Sequence, residues 1–214
     1  MDKIEVIDMQ TWPRAEVYKL FTEQWTTITY SLNTKFSVEK TVTYLKERGL
    51  KFVPAIMWVF SREVNRHDNF RYVIKDGKLC RWDVIHPMFP TLNPQENVTF
   101  HSIRFEDDFA SFYQAYLKEQ QENANKSVLW ATEIPENFFL FSVLPWLHFE
   151  GSAMNLKNAK GYYSPIIAVG KYNEKKQMPC LFVGNHAVAD AWHVNKFFDG
   201  VQKSLDNPSE WCKI

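Results

Sequence analysis

The chain is poor in the features that would place it in a specialised class. Only three cysteines occur, Cys80, Cys180 and Cys212, an odd number at wide spacing with no Cys-x-x-Cys pair. That argues against a disulfide framework or a zinc site, and for a reducing compartment. Neither sign of charge is in excess: 25 Lys plus Arg balance 25 Asp plus Glu. No global field therefore draws the chain to nucleic acid or to a membrane surface, and an anionic ligand has to be held by local groups. No stretch reaches the roughly 18 apolar residues of a membrane span, and the start from Met1 to Val6 lacks the apolar run of a signal peptide. The expected location is the cytoplasm. Seven glycines are scattered over 214 residues with no linker, repeat or low-complexity tract, so one domain covering 1–214 is expected.

Aromatic residues, by contrast, are plentiful. With 17 Phe, 9 Tyr and 8 Trp there is more ring surface than a core of this size needs, which points to an apolar ligand slot or a subunit interface. Residues 3–8 alternate like a strand. Thr11-Trp12-Pro13-Arg14 reads as a helix start, with the helix running to about Gln24, and Trp25 to Phe36 reads as a strand. Helices are expected from about Ser37 to Gly49, over 54–65 and over 107–121. Phe70–Lys75 and Lys78–Trp82 flank Asp76-Gly77, a strong hairpin signal. Pro87, Pro90 and Pro94 suggest an irregular connection before a strand near Val98–Arg104. Three apolar stretches, Phe138–Leu144, Tyr162–Tyr172 and Met178–Val183, read as central strands. A last helix after Asp190 is expected to bury Trp192, Phe197, Phe198 and Val201. The irregular alternation of strands and helices predicts an α/β fold with a mixed sheet covered by helices.

The chemistry concentrates in Leu181–Asp190, where His186 follows a buried strand and precedes a helix. A neutral imidazole there is able to take a proton from a substrate hydroxyl, provided a bond to its other nitrogen fixes the tautomer. Asp190, four residues on, is placed to cap the helix and to pair with a cation, for which Arg14 is the candidate. No His-x-x-x-His or carboxylate spacing suggests a metal.

His186-x-x-x-Asp190 before a helix resembles the active-site signature of the chloramphenicol acetyltransferases. Other segments follow in that family's order: Trp12-Pro13-Arg14, Asn65 to Phe70-Arg71, Thr99-Phe100-His101-Ser102 with one swap, Phe141-Ser142-Val143-Leu144-Pro145-Trp146, Pro165-Ile166-Ile167, and Gly170-Lys171-Tyr172. The resemblance implies a two-layer α/β sandwich that assembles as a homotrimer with active sites between subunits. It also implies acetyl-CoA as co-substrate, with no metal, and acetylation of a hydroxyl of chloramphenicol, an antibiotic-resistance activity. On the same basis His186 is the general base, Ser142 donates a hydrogen bond to the oxyanion, and Asp190 with Arg14 forms a buried ion pair that shapes the site. Trp146, Lys171 and Tyr172 fall where the family lines its CoA channel. Leu20, Phe21, Trp25, Ile28, Tyr30, Phe100, Ser102, Met154 and Ile166 fall at its acceptor positions. Three residues depart from the pattern: Asn185 in place of a histidine, Ala191 in place of the signature glycine, and Ala168 where threonine is common. An acyltransferase of this fold using another hydroxyl acceptor, or a CoA-binding relative with little turnover, fits the same residues. His193 reads as structural, and Lys157 and Lys160 as solvated loop charges.

Overall fold

Apolar runs of strand length and stripes at helical spacing assign most elements. In the computed structural model, which describes residues 2–156 and 160–214, the order is β1 (Ile4–Val6), α1 (Ala15–Lys19), β2 (Thr29–Ser37), α2 (Glu39–Glu47), α3 (Phe52–Arg66), β3 (Tyr72–Lys75), β4 (Lys78–Trp82), β5 (His86–Leu92), β6 (Val98–Ser102), α4 (Phe109–Asn123), β7 (Phe138–Leu144), β8 (Ile166–Gly170), β9 (Gln177–Asn185), α5 (Ala191–Asp206) and α6 (Pro208–Trp211). Lys160 is exposed, as expected; Lys157 lies outside the described residues.

Six strands form a mixed sheet in the order β2-β9-β8-β7-β5-β6. In it β7 runs parallel to β5 and β8, and the other neighbours are antiparallel. The predicted hairpin β3–β4 pairs instead with β1 in a separate three-stranded sheet. Its turn takes the left-handed conformation at both Asp76 (φ 51°) and Gly77 (φ 72°), the pattern that matches strand twist in a two-residue loop. Because side chains alternate along a strand, the large sheet has two distinct faces. Phe139, Phe141, Ile167, Val169 and Phe182 join the core formed with α3, α4 and α5. Ile166, Ala168, Leu181 and Val183 point the other way, into a smaller cluster with Phe149.

The structure corrects several expectations. The first helix does not run intact to Gln24: after Lys19 the chain widens into a π-helical turn, Leu20–Gln24, with Trp25 N donating to Leu20 O at 2.8 Å. The Thr22 hydroxyl donates to the Tyr18 carbonyl at 2.8 Å and so competes with the backbone ladder. Trp192 is not core but 63% exposed, with the Lys196 ammonium 5.2 Å from its ring centroid. Val194, Phe197, Val201 and Leu205 form the buried stripe of α5 instead. Pro87 and Pro90 lie inside a strand, β5, not in a connection. The alternation of backbone N–H directions explains how. His86 N points to the β7 side, where it donates to Asn137 O at 2.8 Å, so position 87 faces β6 and position 90 faces β7. Pairing to β6 begins only at Met88, and pairing to β7 ends there. Each proline thus lacks its donor on a side with no partner.

Helices α3 and α5 cross closely at Gly200, where an added Cβ would lie 2.0 Å from Oε1 of the buried Glu63. The Glu63 carboxylate faces His67 Nε2 and Arg66 Nη1, each at 3.2 Å, and has little room to yield. We expect Gly200→Ala to cost about 1–3 kcal/mol by overpacking, read as a lower urea midpoint; an unchanged midpoint would mean that the helices are not held this close.

Candidate active site

Strand β9 delivers the chain into the turn 185–189, and each carbonyl of that turn accepts a hydrogen bond. Asn185 O takes Val188 N and Ala189 N; Asn185 Oδ1 takes Ala187 N at 3.0 Å, while its Nδ2 donates to Tyr162 O at 3.1 Å. Arg14 donates through Nη2 to His186 O at 2.7 Å and through Nε to Ala187 O at 3.1 Å. Asn69 Nδ2 donates to Val188 O at 2.6 Å, and the Tyr30 hydroxyl donates to Ala189 O at 3.1 Å. A buried carbonyl left unpaired costs about as much as a lost hydrogen bond, so these donors hold the turn in one shape.

The Arg14 guanidinium also grips Asp190 in a bidentate pair, Nη1–Oδ2 at 2.7 Å and Nη2–Oδ1 at 2.6 Å. This pairing holds the Asp190 carboxyl below the usual carboxylate range. Asp190 Oδ1 lies 3.3 Å from His186 Nδ1. The imidazole stacks on Phe21, with centroids 5.2 Å apart and planes inclined by 17°, and sits 4.5 Å from the Tyr30 ring. Among the described residues no group bonds His186 Nε2. A carboxylate at Nδ1 favours the tautomer that leaves a lone pair on Nε2, the state a general base requires.

Asp190 turns its carboxylate to Arg14 and His186 and also forms a capping box with His193 at the start of α5. The start of α5 is closed by His193, whose Nδ1 accepts from Asp190 N at 3.0 Å, in line with its structural reading. Ala191 occupies the first position of α5 outside the left-handed region, so the missing glycine costs no backbone strain. Asn185, in the place of a histidine, ties the turn to Tyr162.

The other expected site residues lie elsewhere in the chain. Ser142 borders an apolar cavity of about 290 Å³ whose walls include Val53 and Met57 of α3, Phe89–Leu92 of β5, Tyr116 of α4, and Val143, Leu144, Pro145 and Trp146. The pairings Ser142↔Ala168 and Ala168↔Leu181 place Ser142 two strands from a point five residues before His186. At ~4.8 Å per strand and ~3.3 Å per residue, the two are roughly 19 Å apart within one chain. Trp146 is exposed at the cavity edge. Lys171 N donates to Leu147 O at 2.7 Å, and Tyr172 packs edge-on against Phe52. Leu20, Phe21 and Trp25 belong to the π-helical turn or follow it, on the His186 side through the Phe21 stack. Phe100 lies on edge strand β6, stacked on Trp130; Met154 is in the segment between β7 and β8, and Ile166 is buried on β8. No local spacing marks the cavity walls on α3 and α4. Asn69 was within a quoted motif, but its bond to Val188 had no local signature.

Among the described residues no group of three or more His, Cys, Asp or Glu is placed to hold a metal ion, and no helix is long and apolar enough to cross a membrane.

Burial of His193 lowers its pKa below the ordinary 6.5. The folded state therefore prefers the neutral ring, and this contribution to stability is present above pH 6.5 and fades as the pH falls toward the lower folded value. His193→Gln retains an acceptor that does not titrate, so its melting temperature should fall less than that of the wild type between pH 7 and pH 5. Parallel melting curves would contradict the role assigned to the ring nitrogen.

Comparison with known proteins identifies the family. The family model for chloramphenicol acetyltransferase matches residues 2–202. A "Chloramphenicol acetyltransferase" of Staphylococcus aureus is 32% identical over 212 residues, covering 96% of this chain and 97% of the relative. "Chloramphenicol acetyltransferase 2" of Escherichia coli is 32% identical over 207 residues, covering 94% and 96%. A solved "chloramphenicol acetyltransferase" superposes with a TM-score of 0.85 at 21% identity, over 96% of this chain and 100% of that one. A truncated catalytic core of a 2-oxoacid dehydrogenase complex from Thermoplasma acidophilum shares the fold alone, with a TM-score of 0.65 at 11% identity. With His186 and Asp190 on the turn that follows β9 and Arg14 reaching them from the start of α1, the chain belongs to the chloramphenicol acetyltransferase family of acyltransferases.

Proposed function

We propose that the protein transfers the acetyl group of acetyl-CoA to a hydroxyl of chloramphenicol, acting in the cytoplasm as a homotrimer. The observation that carries this reading is the His186 ring, held at Nδ1 by a carboxylate that Arg14 fixes in place. Nε2 takes the hydroxyl proton as the oxygen attacks the thioester carbonyl. The Ser142 hydroxyl donates to the oxyanion of the tetrahedral intermediate, and the imidazolium returns the proton to the departing thiolate. The apolar cavity that reaches Ser142 suits the thioester arm of acetyl-CoA, with Trp146 at its edge; Lys171 and Tyr172 are assigned to the same ligand. Chloramphenicol is assigned to Leu20, Phe21, Trp25 and Tyr30 beside the base, and to Phe100, Met154 and the buried Ile166 elsewhere in the fold.

The separation of roughly 19 Å between Ser142 and His186 supports a shared site. One intermediate cannot touch both groups of a single chain, so His186 of one copy faces Ser142 of the next. A second reading keeps the chemistry and changes the acceptor; Asn185, which ties the turn to Tyr162 where the family signature has histidine, favours it.

Adding chloramphenicol to the protein with acetyl-CoA should release free CoA thiol. His186→Ala should lower kcat by about 10²–10⁴-fold, the usual contribution of a general base; a fully active His186→Ala would sink the mechanism. Release with another alcohol but not with chloramphenicol would favour the second reading. Mixing the inactive His186→Ala and Ser142→Ala chains under conditions of subunit exchange should restore part of the activity. No restoration after demonstrated exchange would mean that both groups act from one chain.

A further inference from the structure

A buried histidine and carboxylate stand behind the cavity wall, and the proposed reaction uses neither. His101 of β6 is completely buried, with Nδ1 2.7 Å from Glu119 Oε1 on α4 and Nε2 2.8 Å from Thr91 Oγ1 on β5. The other Glu119 oxygen accepts from Asn123 Nδ2 at 2.8 Å. Phe89 stacks on the His101 ring, with centroids 5.3 Å apart and planes inclined by 14°, and then on Tyr116 at 5.5 Å. Phe89, Thr91 and Tyr116 line the cavity, whereas His101 and Glu119 do not. One side chain outside the cavity therefore contacts two of its wall residues directly and a third through Phe89.

The hydrogen-bond roles along this chain are fixed by its buried end. In the neutral ring a carboxylate at Nδ1 favours the tautomer with its proton there, which leaves the Nε2 lone pair to accept the Thr91 hydroxyl hydrogen. With its only proton committed, the Thr91 oxygen offers nothing but lone pairs to a ligand. A buried ion-capable pair adds little stability over an apolar replacement, which leaves the ordering of this wall as what the pair contributes. We propose that His101 is a positioning residue that fixes Thr91 as a hydrogen-bond acceptor in the cavity wall, so that the cavity selects a ligand bringing an N–H to that point, as the amides of the CoA arm do. This rests on the reading that the cavity holds acetyl-CoA.

The test measures CoA binding by calorimetry and acetyl-CoA kinetics on the full chain. Thr91→Val keeps the shape, leaves His101 and Glu119 in place and removes the acceptor. It should weaken CoA binding and raise the acetyl-CoA KM by about threefold to tenfold, the range of one hydrogen bond, while kcat changes little. Thr91→Ser should restore both. Replacing the pair behind the wall, His101→Phe with Glu119→Leu, should also weaken binding, and adding Thr91→Val to it should cause little further loss, because both changes remove one interaction. Wild-type CoA binding by Thr91→Val, a loss confined to kcat, or fully additive losses would overturn the proposal and leave the assigned function intact. A wild-type protein that binds no CoA would overturn both.

Discussion

The site depends on one constraint: the carbonyls of the turn 185–189 must all find donors. The turn leaves a buried strand and enters a helix, so it has neither ladder nor coil to satisfy it. Arg14, 172 residues away from His186 in sequence, supplies two of the donors and grips Asp190 with the rest of its guanidinium. A lysine, a point charge with no planar fork, would not bridge two carbonyls and a carboxylate at once. The pair Arg14–Asp190 is partly exposed, with Asp190 at 41%, and exposed ion pairs contribute little to stability. Its effect is geometric: it aims the imidazole.

The two halves of the proposed reaction sit at different ends of the same sheet. His186 follows a strand near one edge, whereas Ser142 lies on β7 in the wall of an apolar cavity. The proposed pairing across copies would give the exposed apolar residues a reason to be where they are. Leu92, Val98, Leu129 and Trp130 cluster about edge strand β6, with Leu129 O accepting from Phe100 N. The surplus of aromatic residues in the composition is thus divided between a core built on Phe60, Phe141, Phe182 and Phe197 and surfaces outside it.

Elements governed by local periodicity were legible in the sequence. The Asp76-Gly77 hairpin, α3 and the central strands β7 and β9 stand where apolar spacing and turn residues put them. The misreadings share a cause, which is that the deciding partner is remote. Pro87 and Pro90 look like strand breakers until the neighbouring strands are seen to stop beside them. The break at Lys19 accompanies the Thr22 hydroxyl finding the Tyr18 carbonyl, and Trp192 stands on the other side of α5 from the buried Val194, Phe197 and Val201. Within the site, His186, Asp190 and Arg14 were legible through their motifs. Asn69, Tyr30 as a donor to Ala189, and the walls contributed by α3 and α4 were not, since no spacing along the chain relates them.

Pro90 has a further effect through the sheet itself. The next rung of pairing between β5 and β7 would need an N–H at position 90, and a pyrrolidine nitrogen has none. Beyond Met88 and Leu140 the two strands therefore separate, and the residues that border the cavity, Phe89–Leu92 and Ser142–Leu144, are those just past the last rung. A sheet is ordinarily a wall between two compartments of a protein. Here one missing hydrogen atom ends the pairing of two neighbouring strands, and the cavity is bordered by the residues just past that end.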